Sequence, residues 1–242
     1  MQPEPAPPPP DDGWSDAGDA APVQVPWALV AAPLILQLAA TILLATILQP
    51  PSSVDTAIYS IRYGVVLLLS YAVLVGATFI VVDRFGDPRE LLALRTMRVG
   101  RCIGYGLAGF AVASIAAVVL EPLFHGIKAQ GFHPEPFPGG GAHTAGLALV
   151  ALGFALAAPI GEELYFRGLL LGRLLGRGPA IAVLVQALVF GAAHFTPAAL
   201  PVLALYGAIF GVLRVRTDTI LPGALAHALN NGLALALAVA SA

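Results

Sequence analysis

The chain has 242 residues, of which 58% are hydrophobic and only 11% charged, with a formal net charge of −2. Soluble domains carry about 25% charged residues, so this composition excludes an ordinary soluble protein, and the lack of a basic cluster excludes a nucleic-acid partner. The apolar runs are continuous and about twenty residues long, unlike the alternating strands of about ten residues in a membrane barrel. The expected fold is all-α: a polytopic transmembrane helical bundle whose partner is the lipid bilayer.

Residues 1–25 are rich in proline and carry Glu4, Asp11, Asp12, Asp16 and Asp19 with no lysine or arginine. A signal peptide needs a basic start and an early apolar core. This segment has neither and predicts a disordered acidic tail. Apolar segments then follow at 27–48, 62–82, 102–120, 143–170, 179–195, 198–213 and 219–240. They give about seven spans, and the Pro and Gly within them leave six or eight open. Arg84, Arg89, Arg95, Arg98 and Arg101 lie between the second and third spans, Arg173 and Arg177 between the fourth and fifth, and Arg214 and Arg216 between the last two. With seven spans these loops share one side, which the positive-inside rule makes cytoplasmic, together with the N-terminus. The expected organisation is a tail (1–25), N-terminal transmembrane helices (26–140) with an Arg-rich interfacial segment (83–101), and a catalytic transmembrane core (141–242).

Two loops have character of their own. The stretch 87–98 mixes apolar and basic residues at helical spacing and suits a short helix at the membrane surface. The loop 121–143 holds His125, His133 and His143, whose spacing lacks the close pairs of a zinc motif, and reads as solvated and flexible. The lone cysteine, Cys102, excludes an intramolecular disulfide.

The chemistry concentrates in the last spans. Glu162 and Glu163 are the only acids between Ala142 and Arg214, in a run that reads as membrane-embedded. A charge at bilayer depth costs about 2.5–3.5 kcal/mol on insertion scales, so it usually has a partner and a purpose. Glu163 and Arg167 are four apart with the acid first, the favourable order for a helical ion pair. Helical neighbours point about 100° apart, so Glu162 is left to face a cavity, where a carboxylate in apolar surroundings suits a general base acting on water. Pro159 and Gly161 are expected to break the helix and open room for that water. Glu162 and His194 are equidistant from Gly178 along the chain, so an antiparallel hairpin sets them facing each other. Counted at about 1.5 Å per residue, the helix from Ala142 to Gly178 is about 55 Å long, so its cytoplasmic end is expected to project or bend along the surface. His227 and Asn231, four apart, share a helix face and present two donors, as an oxyanion hole requires. Asn230 points elsewhere.

Glu162-Glu-Leu-Tyr-Phe-Arg167-Gly, Phe190-Gly-Ala-Ala-His194 and His227-Ala-Leu-Asn-Asn231 together resemble the CPBP family of intramembrane endopeptidases, which includes the CAAX prenyl proteases and the Abi-type bacteriocin-processing and self-immunity proteins. The resemblance covers about 160–232. It implies that Glu162 and His194 activate a water for attack on a peptide carbonyl. It further implies that His227 and Asn231 stabilise the oxyanion and that Glu163 and Arg167 hold the geometry. Asp218 departs from it, standing where related sequences commonly have a small residue. No cofactor or metal is favoured, since no His-Glu-x-x-His pair is present and Asn231 would be an unusual zinc ligand. If a divalent metal such as zinc takes part, the expected ligands are Glu162, His194 and His227. The expected partner is a membrane-anchored peptide or protein substrate, and the arginine- and alanine-rich composition points to a bacterial cell membrane. A transporter or proton relay could use the same polar residues, but the chain has no internal repeat and no paired broken helices. A silent scaffold or immunity protein is the remaining alternative.

Overall fold

The computed structural model describes residues 25–124 and 135–241, so the expectations for the tail, apart from Val25, and for His125 and His133 lie outside the described residues. The rest forms helices: α1 (Trp27–Leu48), α2 (Ile61–Asp83), α3 (Val99–Phe124), α4 (Gly141–Arg177), α5 (Pro179–Ala192), α6 (Leu200–Thr217) and α7 (Leu221–Ala240). All but α5 are long and apolar enough to cross a membrane. The bundle is therefore all-α and polytopic, with each expected apolar segment present as a helix.

Local chemistry sets the helix boundaries. Ser60 caps α2 by accepting from the Tyr63 amide at 3.4 Å. Gln49 ends α1 in the left-handed region ahead of Pro50 and Pro51. Gly178 reverses the chain at φ 96°, a conformation open to glycine, and Pro179 starts α5 where its missing N–H costs nothing. With 14 residues, α5 is about 21 Å long, short of a hydrocarbon core of about 30 Å. His194 follows it by two residues, in the turn that leads to α6.

The central element is α4, packed against α2 on one side, α7 on another and α5 at its C-terminal end. It runs without a break from Gly141 to Arg177 but widens twice into π-helix, at Gly153–Ala157 and Glu163–Leu170. Pro159 thus does not break the helix. The first widening lies just before it, where an ordinary helix would need the amide that proline lacks. The second coincides with the acidic motif, and π-widenings of this kind often mark functional positions.

The C-terminal end of α4 is not free. The largest core cluster gathers Leu164, Tyr165, Phe166, Leu169, Leu171 and Leu174 with Val25, Leu92 and Ala93. Val25, expected in the tail, is fully buried, and its carbonyl accepts from Arg173 Nε at 2.9 Å. The indole of Trp27 lies 4.8 Å under Arg173 and 5.2 Å under Arg177. The stretch 87–98 also differs from the expected surface helix. Asp87 caps a four-residue helix, Pro88–Leu91, after which Leu92 and Ala93 insert against α4. A Cβ at Gly168 would stand 3.1 Å from Leu92 Cα. Asp218, in the left-handed turn after α6, pairs with Arg214 at 2.9 Å and with Arg95. The Ile220 amide donates to the Ala93 carbonyl at 3.2 Å, so the departure at Asp218 ties this loop to the bundle.

Gly168→Leu should wedge the 92–93 segment off α4, with an overpacking cost of about 1–3 kcal/mol. Faster tryptic cleavage at Arg95 and Arg98 in the folded protein is the expected readout. A wild-type cleavage rate would contradict the docking.

Candidate active site

The polar residues of α4 and α7 meet inside the bundle. Glu163 and Arg167 are both 0% exposed and pair at 2.8 Å between Oε1 and NH1, as their spacing predicts. A buried pair needs further partners to offset the loss of water, and aromatic rings supply much of that surface. The Arg167 guanidinium lies 4.4 Å from the Phe190 centroid, 5.3 Å from Phe210 and 6.0 Å from Phe166. Cation–π contacts of desolvated groups contribute about 2 kcal/mol. The Gly207 carbonyl on α6 accepts from Arg167 NH2 at 3.4 Å and from Gln186 at 2.7 Å. Gly223 lets α7 close on the pair, because a Cβ there would lie 2.7 Å from Glu163 Oε2.

His227 touches both glutamates. Its Nδ1 stands 3.2 Å from Glu163 Oε1 and its Nε2 stands 3.7 Å from Glu162 Oε2. Although the glutamates leave α4 in different directions, the two edges of one imidazole reach them both. The ring is stacked on Phe210 at 5.2 Å and edge-on to Phe190 at 5.9 Å, which fixes its plane. A carboxylate only accepts, so Nδ1 is the donor toward Glu163 and a neutral imidazole keeps its lone pair on Nε2, facing Glu162.

Glu162 is 8% exposed. Its Oε1 accepts from the Tyr71 hydroxyl at 2.6 Å, while the buried Oε2 has no hydrogen-bond partner among the described residues. Geometrically, Glu163 is in the ion pair with Arg167, whereas Glu162 Oε2 accepts no hydrogen bond among the described residues.

His194 and Asn231 differ from expectation. His194 makes no ion pair with Glu162; its Nδ1 donates to the Phe190 carbonyl at 2.8 Å, and its ring packs edge-on to Phe190 at 4.9 Å. Phe190 thus stands between the two imidazoles and touches both. The hairpin count sets depth but not facing, because α5 ends before His194 and the turn redirects the side chain. Asn231 donates from Nδ2 to the Phe154 carbonyl at 2.9 Å. In the π register that carbonyl would accept from residue 159, a proline without an N–H. Asn231 therefore supports the widening that precedes the motif, with one amide hydrogen left for other use. Asn230 turns to Ser114 and Ala226.

Among the described residues, no three His, Cys, Asp or Glu side chains form a group that could hold a metal ion. Of the set Glu162, His194 and His227, the first and last adjoin while His194 is turned to Phe190, and His227 has a glutamate at each ring nitrogen. Sequence reasoning missed Tyr71, Phe210 and Gly223. A tyrosine inside an apolar span was the available signal for Tyr71; nothing in the pattern distinguishes Phe210 or Gly223 from packing residues.

Arg167→Ala should leave Glu163 buried without a counter-charge and cost about 3–5 kcal/mol. The double change Glu163→Gln with Arg167→Met should recover much of the loss. Thermal unfolding in detergent reads both, and equal midpoints for wild type and Arg167→Ala would contradict the pairing.

Residues 144–233 match the family model described as "Type II CAAX prenyl endopeptidase Rce1-like". No curated protein and no solved structure matches the chain. The matched segment runs from the first turns of α4 into α7, and so includes Glu162, Glu163, Arg167, His194, His227 and Asn231. Over this segment the chain is similar to the Rce1-like family of type II CAAX prenyl endopeptidases.

Proposed function

We propose that the chain is an intramembrane endopeptidase in which Glu162 and His227 together activate a water against a peptide bond of a membrane-anchored substrate. The observation that carries this reading is the facing pair of acceptors, Glu162 Oε2 and His227 Nε2, 3.7 Å apart and buried. Two acceptors at that separation suit one water, whose two O–H groups satisfy both and whose oxygen is thereby made nucleophilic. The water oxygen bonds to the scissile carbonyl carbon while a proton passes to Glu162. That proton then goes to the leaving amine as the C–N bond breaks. Glu163 supports the reaction indirectly by holding the His227 tautomer, and Arg167 balances its charge.

The free amide hydrogen of Asn231 is the proposed oxyanion donor. His194 is already committed through Nδ1 and offers Nε2 for proton transfer at the more open end of the site. The proposed reaction needs no metal, because the donor set does not assemble one. The proposed setting is a bacterial cell membrane, N-terminus inside, with the Arg84–Arg101 and Arg173–Arg177 side cytoplasmic.

The test uses purified protein in liposomes and an internally quenched peptide ending in a farnesylated Cys-aliphatic-aliphatic-X sequence. Wild type should cleave it, and Glu162→Gln should lower kcat about 10²–10⁴-fold while keeping the wild-type melting temperature. Cleavage by Glu162→Gln at the wild-type rate would sink the assignment. Activity should also survive exhaustive chelation, with metal analysis of the protein blank; loss on chelation that zinc restores would contradict the metal-free route.

A further inference from the structure

Among the described residues, a side-chain hydrogen bond to the Glu162 carboxylate comes from outside the family-matched segment. Tyr71 lies on α2, and its hydroxyl donates to Glu162 Oε1 at 2.6 Å, in the range of short charge-assisted O–H···O bonds. The ring is seated by the glycine next to the glutamate: a Cβ at Gly161 would stand 3.2 Å from Tyr71 Cδ1.

A glutamate's terminal torsion is broad and roughly two-fold, so a free carboxylate presents either oxygen with little preference. A donor fixed on one oxygen removes that freedom. We propose that Tyr71 is a positioning residue for Glu162: by holding Oε1 it leaves Oε2 as the oxygen opposite His227 Nε2. The inference rests on Glu162 being the base, as proposed above. The N-terminal helices, which carry none of the motif residues, then contribute to the reaction through this one hydroxyl.

The experiment compares wild type, Tyr71→Phe, Glu162→Gln and a protein carrying 3-fluorotyrosine at position 71, each full length in liposomes with the farnesylated peptide. Phenylalanine keeps the ring and loses the donor; fluorotyrosine keeps both. Misplacing a catalytic group by about 1 Å can cost about a hundredfold. Tyr71→Phe is therefore expected to lower kcat about ten- to a hundredfold with KM within about twofold and an unchanged melting temperature, while fluorotyrosine restores kcat. Wild-type kcat in Tyr71→Phe, with Glu162→Gln inactive, would overturn the positioning role and leave the base assignment standing. A loss of kcat in Tyr71→Phe that tracks a fall in melting temperature, or that fluorotyrosine fails to restore, would also overturn it. Full activity in Glu162→Gln would instead overturn the base assignment on which it rests.

Discussion

The fully buried Glu163–Arg167 pair is the constraint to which the rest of the bundle answers. Two charges with no solvent access need good geometry and further partners, and here Glu163 Oε2 and Arg167 Nε remain without a hydrogen bond among the described residues. Phe166, Phe190 and Phe210 surround the guanidinium, and the Gly207 carbonyl takes one of its protons. His227 donates to the carboxylate. These residues come from α4, α5, α6 and α7, so placing the pair also places the four helices. Gly223 follows from the same demand, since any larger residue there would hold α7 away from Glu163.

The proposed function draws on what this clamp leaves over. Because Glu163 is committed to Arg167 and to His227 Nδ1, the imidazole is oriented with Nε2 toward Glu162. Because Tyr71 occupies one oxygen of Glu162, the other is free. Adjacent helical residues point about 100° apart, so the two glutamates reach different atoms of one histidine. Asn231 supports the preceding widening by serving a carbonyl that proline cannot reach. In the proposed reading, stability and chemistry share one set of side chains.

Much of this could be read from the sequence, and the limits have physical causes. Span positions followed from hydropathy because lipid leaves a helix few alternatives. The Glu163–Arg167 pair followed from four-residue spacing, which survives the change to π-helix. Helical spacing places His227 and Asn231 on one face but does not report which neighbour each side chain meets, so the contacts of His227 with both glutamates were not legible. The expected Glu162–His194 meeting failed because α5 ends before His194, and a count along a hairpin does not carry through a turn. Tyr71 and the insertion of Leu92 and Ala93 depend on contacts between segments far apart in sequence, which no local pattern encodes.

The central claim is that Glu162 and His227 act as one unit on one water. A double-mutant cycle in kcat, using Glu162→Gln, His227→Gln and the double variant in liposomes with melting temperatures matched, tests it most directly. Groups that act as a unit are strongly non-additive. The account predicts that the double variant is no slower than the slower single variant. Losses that multiply across the two positions would show independent action and contradict it.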